Sequence, residues 1–319
     1  MLCPVCSNES RPFGRNRNGS RRYRCDFCRR TFTDPQSRPA DNRRLGLDRA
    51  VFVLRLILEG NSLRSANRLT GVARNTILAT MVEAGEHCLT YLDSLRGLPA
   101  ADVQGDELWA FVGMKERTRQ RLGRGEEYGD VWCFLACERD TKLILAHHVG
   151  KRTPEDTMEF TEKLRRATRP GRFQFSTDGF TPYPGTVSAV FGTNIDYGQI
   201  VKVFGPTAET GTAGRYSPGQ VTVVERWATI GTPDMDRVCT SHVERQNKTL
   251  RMQLRRYTRL TDGHSKKWEN HEAAVALFVA YFNYCRVHMT LKTTPAVAAG
   301  VTDHVWSVAE LLETVGVPR

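Results

Sequence analysis

From residue 101 three apolar segments follow one another: "DVQGDELWAFVG", "DVWCFLACERD" and "KLILAHHVG". Each is short and rich in β-branched and aromatic residues, the signature of strands rather than core helices. "TPEDTMEFTEKLRRATR" then opens as a helix, with Thr153 as cap and Pro154 at the first helical position. "RFQFSTDGF" predicts a fourth strand ending in a Gly turn, and "SAVFGTNIDYGQIVKVF" a short helix feeding a fifth. A Gly-, Thr- and Pro-rich segment at 205–236 interrupts the alternation. "SHVERQNKTLRMQLRR" and "KKWENHEAAVALFVAYFNYCRVH" predict two further helices. Such a succession implies an α/β fold, a mixed five-stranded sheet with flanking helices.

That order is the ribonuclease-H-like arrangement, and it assigns places to three acids. Asp106 lies within the first strand, Asp178 at the C-terminal end of the fourth, and Glu244 near the start of the helix after the fifth. The first and fourth strands are neighbours in this arrangement, so the two aspartates can point at one spot and the helix can bring Glu244 to them. Three converging carboxylates repel one another unless cations sit between them, and hard oxygen ligands suit Mg²⁺ or Mn²⁺. Two such ions roughly 3.5–4 Å apart can clamp both the attacking and the leaving oxygen of an in-line phosphoryl displacement. Glu107 competes with Asp106, but successive strand residues face opposite ways, so only one of the two is expected in the site. His264 and His271 read as surface residues.

Glu244 is the only acid between Asp236 and Asp262, an interval that also holds seven cations. Val243, Leu250, Leu254 and Tyr257 form one helical stripe that should face the core. Glu244, Lys248, Arg251 and Arg255 share the adjacent face at steps of four, three and four. An ordinary solvated Glu–Lys pair would fit the spacing; a metal ligand in line with phosphate-binding cations also accounts for the single sign of all the other charges.

The N-terminus carries Cys3 and Cys6 in one CxxC and Cys25 and Cys28 in another, a spacing that matches a four-thiolate structural Zn²⁺ site. A Pro-containing polar linker, "DPQSRPADN" at 34–42, follows. Residues 47–58 have helical apolar spacing up to Gly60; Ser62 can cap a short helix, Gly71 marks a turn, and a third helix is expected over 73–84. Helix, short helix, turn, helix is the helix-turn-helix pattern. It directs Arg74, Asn75, Thr76 and Thr80 towards a DNA major groove. With 46 Lys and Arg against 35 Asp and Glu, the net charge of +11 favours a polyanionic partner. The longest apolar run has ten residues, too short to span a bilayer, and "MLCPVCSNES" has no apolar signal core; a cytoplasmic, nucleoid-associated protein is expected.

"GDELWAFVG", "HHVGKRT", "STDGFTPY" and "SHVERQNKTLRMQLRRYTRLT" resemble the catalytic domain of bacterial transposases related to insertion sequence 1, and "NYCRVHMTLKTTPAVAAG" resembles the ends of many insertion-sequence transposases. Members of that family are similar to DDE recombinases. The resemblance implies Asp106, Asp178 and Glu244 as a catalytic triad holding two Mg²⁺ (or Mn²⁺) ions. It implies double-stranded DNA as partner, both terminal inverted repeats and target, with a homodimer or larger assembly on DNA. Cleavage would leave a 3′-hydroxyl that attacks target DNA, with no covalent protein intermediate. The expected organisation is a zinc module at 1–33, a helix-turn-helix domain at 43–96, a catalytic domain at 101–290 with an insertion at 205–236, and a C-terminal tail at 291–319. A DNA-binding regulator built on a catalytically inactive domain is the competing reading, distinguished by divalent-metal dependence.

Overall fold

The computed structural model describes residues 1–15, 21–33, 45–205, 221–258 and 261–316; the linker read at 34–42 lies outside them. A small antiparallel sheet, β1 (Ser10–Arg15), β2 (Arg21–Cys25) and β3 (Thr31–Thr33), forms the N-terminal module. Three helices follow: α1 (Leu47–Leu58), α2 (Leu63–Thr70) and α3 (Arg74–Ser94). In α1 the buried residues Ala50, Val53, Leu54, Ile57 and Leu58 recur at steps of three and four, giving one apolar face. Ser62 caps α2 by accepting from the Ser65 amide, and Gly71 ends it at a left-handed φ of 69°.

α3 runs ten residues beyond the expected end at Ala84. Gly85, the residue after that expected end, is a packing residue. A Cβ there would lie 2.1 Å from the Ala273 carbonyl oxygen, so glycine lets α3 cross closely over a later helix.

The main sheet comprises β4 (Asp102–Val112), β5 (Gly129–Glu138), β6 (Ile144–Gly150), β7 (Gln174–Asp178), β8 (Asp196–Phe204) and β9 (Val221–Ile230). Between them lie α4 (Glu116–Arg121), α5 (Pro154–Ala167) and α6 (Pro182–Phe191). Thr153 and Pro154 begin α5 as the sequence predicts, the Thr side chain accepting from the Asp156 amide. The strand order is β6-β5-β4-β7-β8-β9, with β4–β7 and β7–β8 parallel and the remaining pairs antiparallel. The sheet thus has six strands, not five. The extra strand, β9, comes from the segment read as an insertion. "VTVVERWATI" has the β-branched content of a strand, which the Gly- and Thr-rich average over 205–236 hides.

After β9 come α7 (Ser241–Gln253), a 3-10 turn (Arg255–Tyr257), α8 (Trp268–Tyr284), α9 (Pro295–Ala298) and α10 (Val308–Val315). α8 is buried nearly all round, against α3 on one side and the sheet on the other. α10 lays Leu311 and Leu312 into the core shared with α1 and α3. Among the described residues, no helix is long and apolar enough to cross a membrane.

Candidate active site

Register places the first two acids. The last β4–β7 pair is Gly105 with Thr177, so Asp106 and Asp178 stand side by side one residue further along parallel strands. Their carboxylate oxygens, together with one from Glu107, lie within 4.8 Å of one another. Glu107 therefore joins the cluster, contrary to the alternation argument. Asp178 lies beyond the last backbone pair with β4, and a side chain at a strand end can be reached from both faces of its neighbour.

Glu244 lines the same cleft as Asp106 and Asp178 but stands outside that tight group. Its position is set from β4. Gln104, two residues before Asp106 and fully buried, accepts from the amides of His242 (2.9 Å) and Val243 (3.3 Å) with its side-chain oxygen. It thereby supplies the cap that Thr240 does not give α7. Thr240 instead donates to Glu244 Oε1 at 2.7 Å, and Lys202 of β8 forms an ion pair with the same oxygen.

The cluster's surroundings strain its charges. Burial, then the nearby Asp178, raises Asp106 to about 7. The same two causes raise Glu107 to about 8. Asn247 donates to Asp106 Oδ2 at 2.7 Å, leaving its own buried Oδ1 without a partner. Arg152 lies 3.2 Å from Glu107 and 3.7 Å from Asp178, its guanidinium between the rings of Phe180 (4.1 Å) and Trp132 (4.9 Å). Arg152 and Lys202 are site residues that sequence reasoning missed; "HHVGKRT" contains the first, but nothing in its spacing points to a carboxylate. Clustered carboxylates with orphaned buried oxygens suit a hard divalent cation.

The cationic stripe divides. Lys248 and Arg251 line the cleft beside Asp106 and Glu244. Arg255 does not share that face, because α7 ends at Gln253 and the chain turns into the 3-10 segment. Arg255 instead lines a second cleft with Arg74 and Asn75, both exposed at the start of α3. Thr76 is half-buried. Thr80 cannot face a groove: it is 3 % exposed and donates to the Thr76 carbonyl, sharing the buried side of α3 with Ile77, Met81 and Ala84. His271 is likewise fully buried rather than at the surface.

In the N-terminal module the sulfurs of Cys3, Cys6, Cys25 and Cys28 lie within 4.8 Å of one another, with contacts of 3.6 Å (Cys3–Cys28) and 3.5 Å (Cys6–Cys25). Tetrahedral Zn–S bonds of about 2.3 Å put sulfurs about 3.8 Å apart, so the donor set fits zinc. The residue after each knuckle, Ser7 and Arg29, takes a left-handed φ of 57°, the turn that folds each sulfur pair inward.

No family model matches the chain, and no curated protein matches it. Among solved structures it is similar to a piggyBac transposase synaptic complex with hairpin DNA, at 9 % identity and a TM-score of 0.30, over 82 % of this chain and 58 % of that one. It is also similar to the endonuclease V of Bacillus subtilis, at 13 % identity and a TM-score of 0.23, over 65 % of this chain and 92 % of that one. The chain thus spans 58 % of the length of the transposase it matches.

Proposed function

We propose that the chain is a DNA transposase of the kind related to insertion sequence 1. In this reading a ribonuclease-H-like catalytic domain at 101–290 cleaves DNA at element ends and joins the freed 3′-hydroxyl to target DNA. The zinc module at 1–33 and the helix-turn-helix at 43–96 would recognise the terminal repeats, the protein acting as a homodimer or larger. The observation that carries the reading is the meeting of Asp106 and Asp178 on adjacent parallel strands, with Glu244 across the same cleft. The strand order β6-β5-β4-β7-β8 supports the fold assignment.

Asp106, Asp178 and Glu244 would hold two Mg²⁺ or Mn²⁺ ions, which when bound activate water and stabilise the leaving oxygen in phosphodiester cleavage. Asn247 fixes one oxygen of Asp106, and Gln104 docks the helix that carries Glu244. Arg152 steadies Asp178 and Glu107 through their carboxylates and its stacking. Lys248 and Arg251, beside the acids, would receive the phosphate backbone of the scissile strand.

With Mg²⁺, purified protein should nick duplex DNA carrying the inverted repeats that flank its gene and join the products to a second duplex. Asp178→Ala should abolish both reactions while binding is retained. Cleavage by that variant at the unchanged rate would remove Asp178 from the chemistry. Cut products that are never joined would indicate a nuclease instead.

A further inference from the structure

The second cleft lies away from the carboxylates and has its own chemistry. It encloses ≈ 590 Å³ between the starts of α2 and α3 on one side and residues 254–256 and 261–270 on the other. Among the described residues, Arg64, Arg74, Arg255, Arg256 and Lys266 line it against one acid, Asp262. Five cations facing one carboxylate repel one another unless an anion lies among them.

Arg256 is the more telling feature. The residue is half-buried, and the hydrogen-bond partners of its guanidinium among the described residues are neutral: Ser265 Oγ at 2.8 Å and Met81 Sδ at 3.3 Å. Ser265 is itself held by His271 Nδ1 at 2.9 Å, and His271 Nε2 meets the Tyr257 hydroxyl at 2.8 Å. Burial keeps that imidazole neutral, so this relay cannot balance the charge. A desolvated cation without a counter-charge is costly, and burial lowers Arg256 to about 10.

Above this floor, α3 begins without a side-chain cap, since Ala73 has no oxygen to offer its first amides. A 21-residue helix presents the positive end of its dipole there. The walls are fixed relative to each other. Gly60, at φ +82°, brings the end of α1 so near α7 that a Cβ would lie 2.8 Å from the Met252 carbonyl oxygen.

We propose that this cleft is a phosphate seat that takes a backbone phosphodiester of duplex DNA, so that the helix-turn-helix and the segment after α7 grip one strand together. The proposal rests on the reading of DNA as the partner and adds a site separate from the carboxylates. In it, Arg256 supplies the half-buried charge, Arg64 and Lys266 the exposed rim, and the first turn of α3 its free amides. Arg74 and Asn75 are then held at the DNA backbone rather than free to slide along a groove.

The test is fluorescence anisotropy of a labelled duplex, without divalent cations, across a salt series. Arg64→Gln and Lys266→Gln alter exposed side chains and leave the fold intact. Each should weaken binding and lower the slope of log affinity against log salt by about 1. Unchanged affinity and slope in both variants would overturn the seat while leaving DNA as partner. If the unaltered protein binds no duplex, the reading of DNA as partner fails as well. Inorganic phosphate distinguishes the source of the anion. At matched ionic strength it should raise the Tm of the native chain above its value in chloride by more than it raises that of Arg256→Met, the smaller rise being the general salt effect. A phosphate response with no effect of the rim variants on duplex binding would make this a free-phosphate site and overturn the DNA assignment.

Discussion

Replacing Asp106 by Asn should stabilise the protein in the absence of divalent cations while destroying its activity. Asp106 is raised from 3.8 to about 7, mainly by burial and then by Asp178. A carboxyl whose folded-state value is raised binds its proton more tightly folded than unfolded, so the penalty is absent below the unfolded value. It grows as pH rises through about 7 and is fully present above. A shift of about 3 units at about 1.4 kcal/mol each corresponds to about 4 kcal/mol. The residue borders an open cleft, so solvent screening brings this down to about 2–3 kcal/mol. Asn carries no such penalty at any pH and keeps an oxygen to accept from Asn247. Chemical denaturation at pH 8 without added divalent cations should therefore show Asp106→Asn more stable than the native chain by about 2–3 kcal/mol, the gain mostly gone by about pH 4. Added Mg²⁺ should stabilise the native chain at pH 8 and leave the variant unmoved. A variant less stable than the native chain at pH 8, or a gain equal at both pH values, would refute the electrostatic account of the cluster.

Two further outcomes follow from the packing and the thiolates. Gly85→Ala sets a methyl group 2.1 Å from the Ala273 carbonyl oxygen, where backbone must move. The expected loss is about 3 kcal/mol or more, read as a fall in Tm, and an unchanged Tm would rule out the close α3–α8 crossing. Cys25→Ser should reduce bound zinc from one per chain to none by elemental analysis. It should also expose residues 1–33 to limited proteolysis while the transition of the main body stays in place.

The parts legible in sequence were those where one signal dominates. Three strands, a capped helix and a strand were readable because apolar runs, Thr153–Pro154 and the Gly turn after Asp178 agree with each other. The adjacency of Asp106 and Asp178 followed from the expected strand order. The misreadings came where two principles compete at one residue. Gly85, the residue after the expected end of α3, is a contact point. Thr80 is polar, yet it sits three residues after Ile77 on the buried side, its hydroxyl satisfied by the helix itself. His271 is polar and fully buried because Ser265 and Tyr257 satisfy both ring nitrogens. Glu107 joins the cluster although it alternates with Asp106, because Asp178 stands at a strand end where it can be reached from both faces of β4.

The contacts around Glu244 show what holds it apart from the two aspartates in the same cleft. Four carboxylates, from Asp106, Glu107, Asp178 and Glu244, share their surroundings with four cations, Arg152, Lys202, Lys248 and Arg251. Arg152 and Lys202 are held differently. Arg152 is stacked between two rings and bridges Glu107 and Asp178, so moving it breaks several contacts at once. Lys202 and Glu244 form a single pair whose side chains are 31 % and 45 % exposed, the kind of contact worth about 0–1 kcal/mol. Among the described residues, the contacts of the Glu244 carboxylate are that pair and the Thr240 hydroxyl, so turning it towards Asp106 and Asp178 would exchange those two contacts while Gln104 keeps the helix docked.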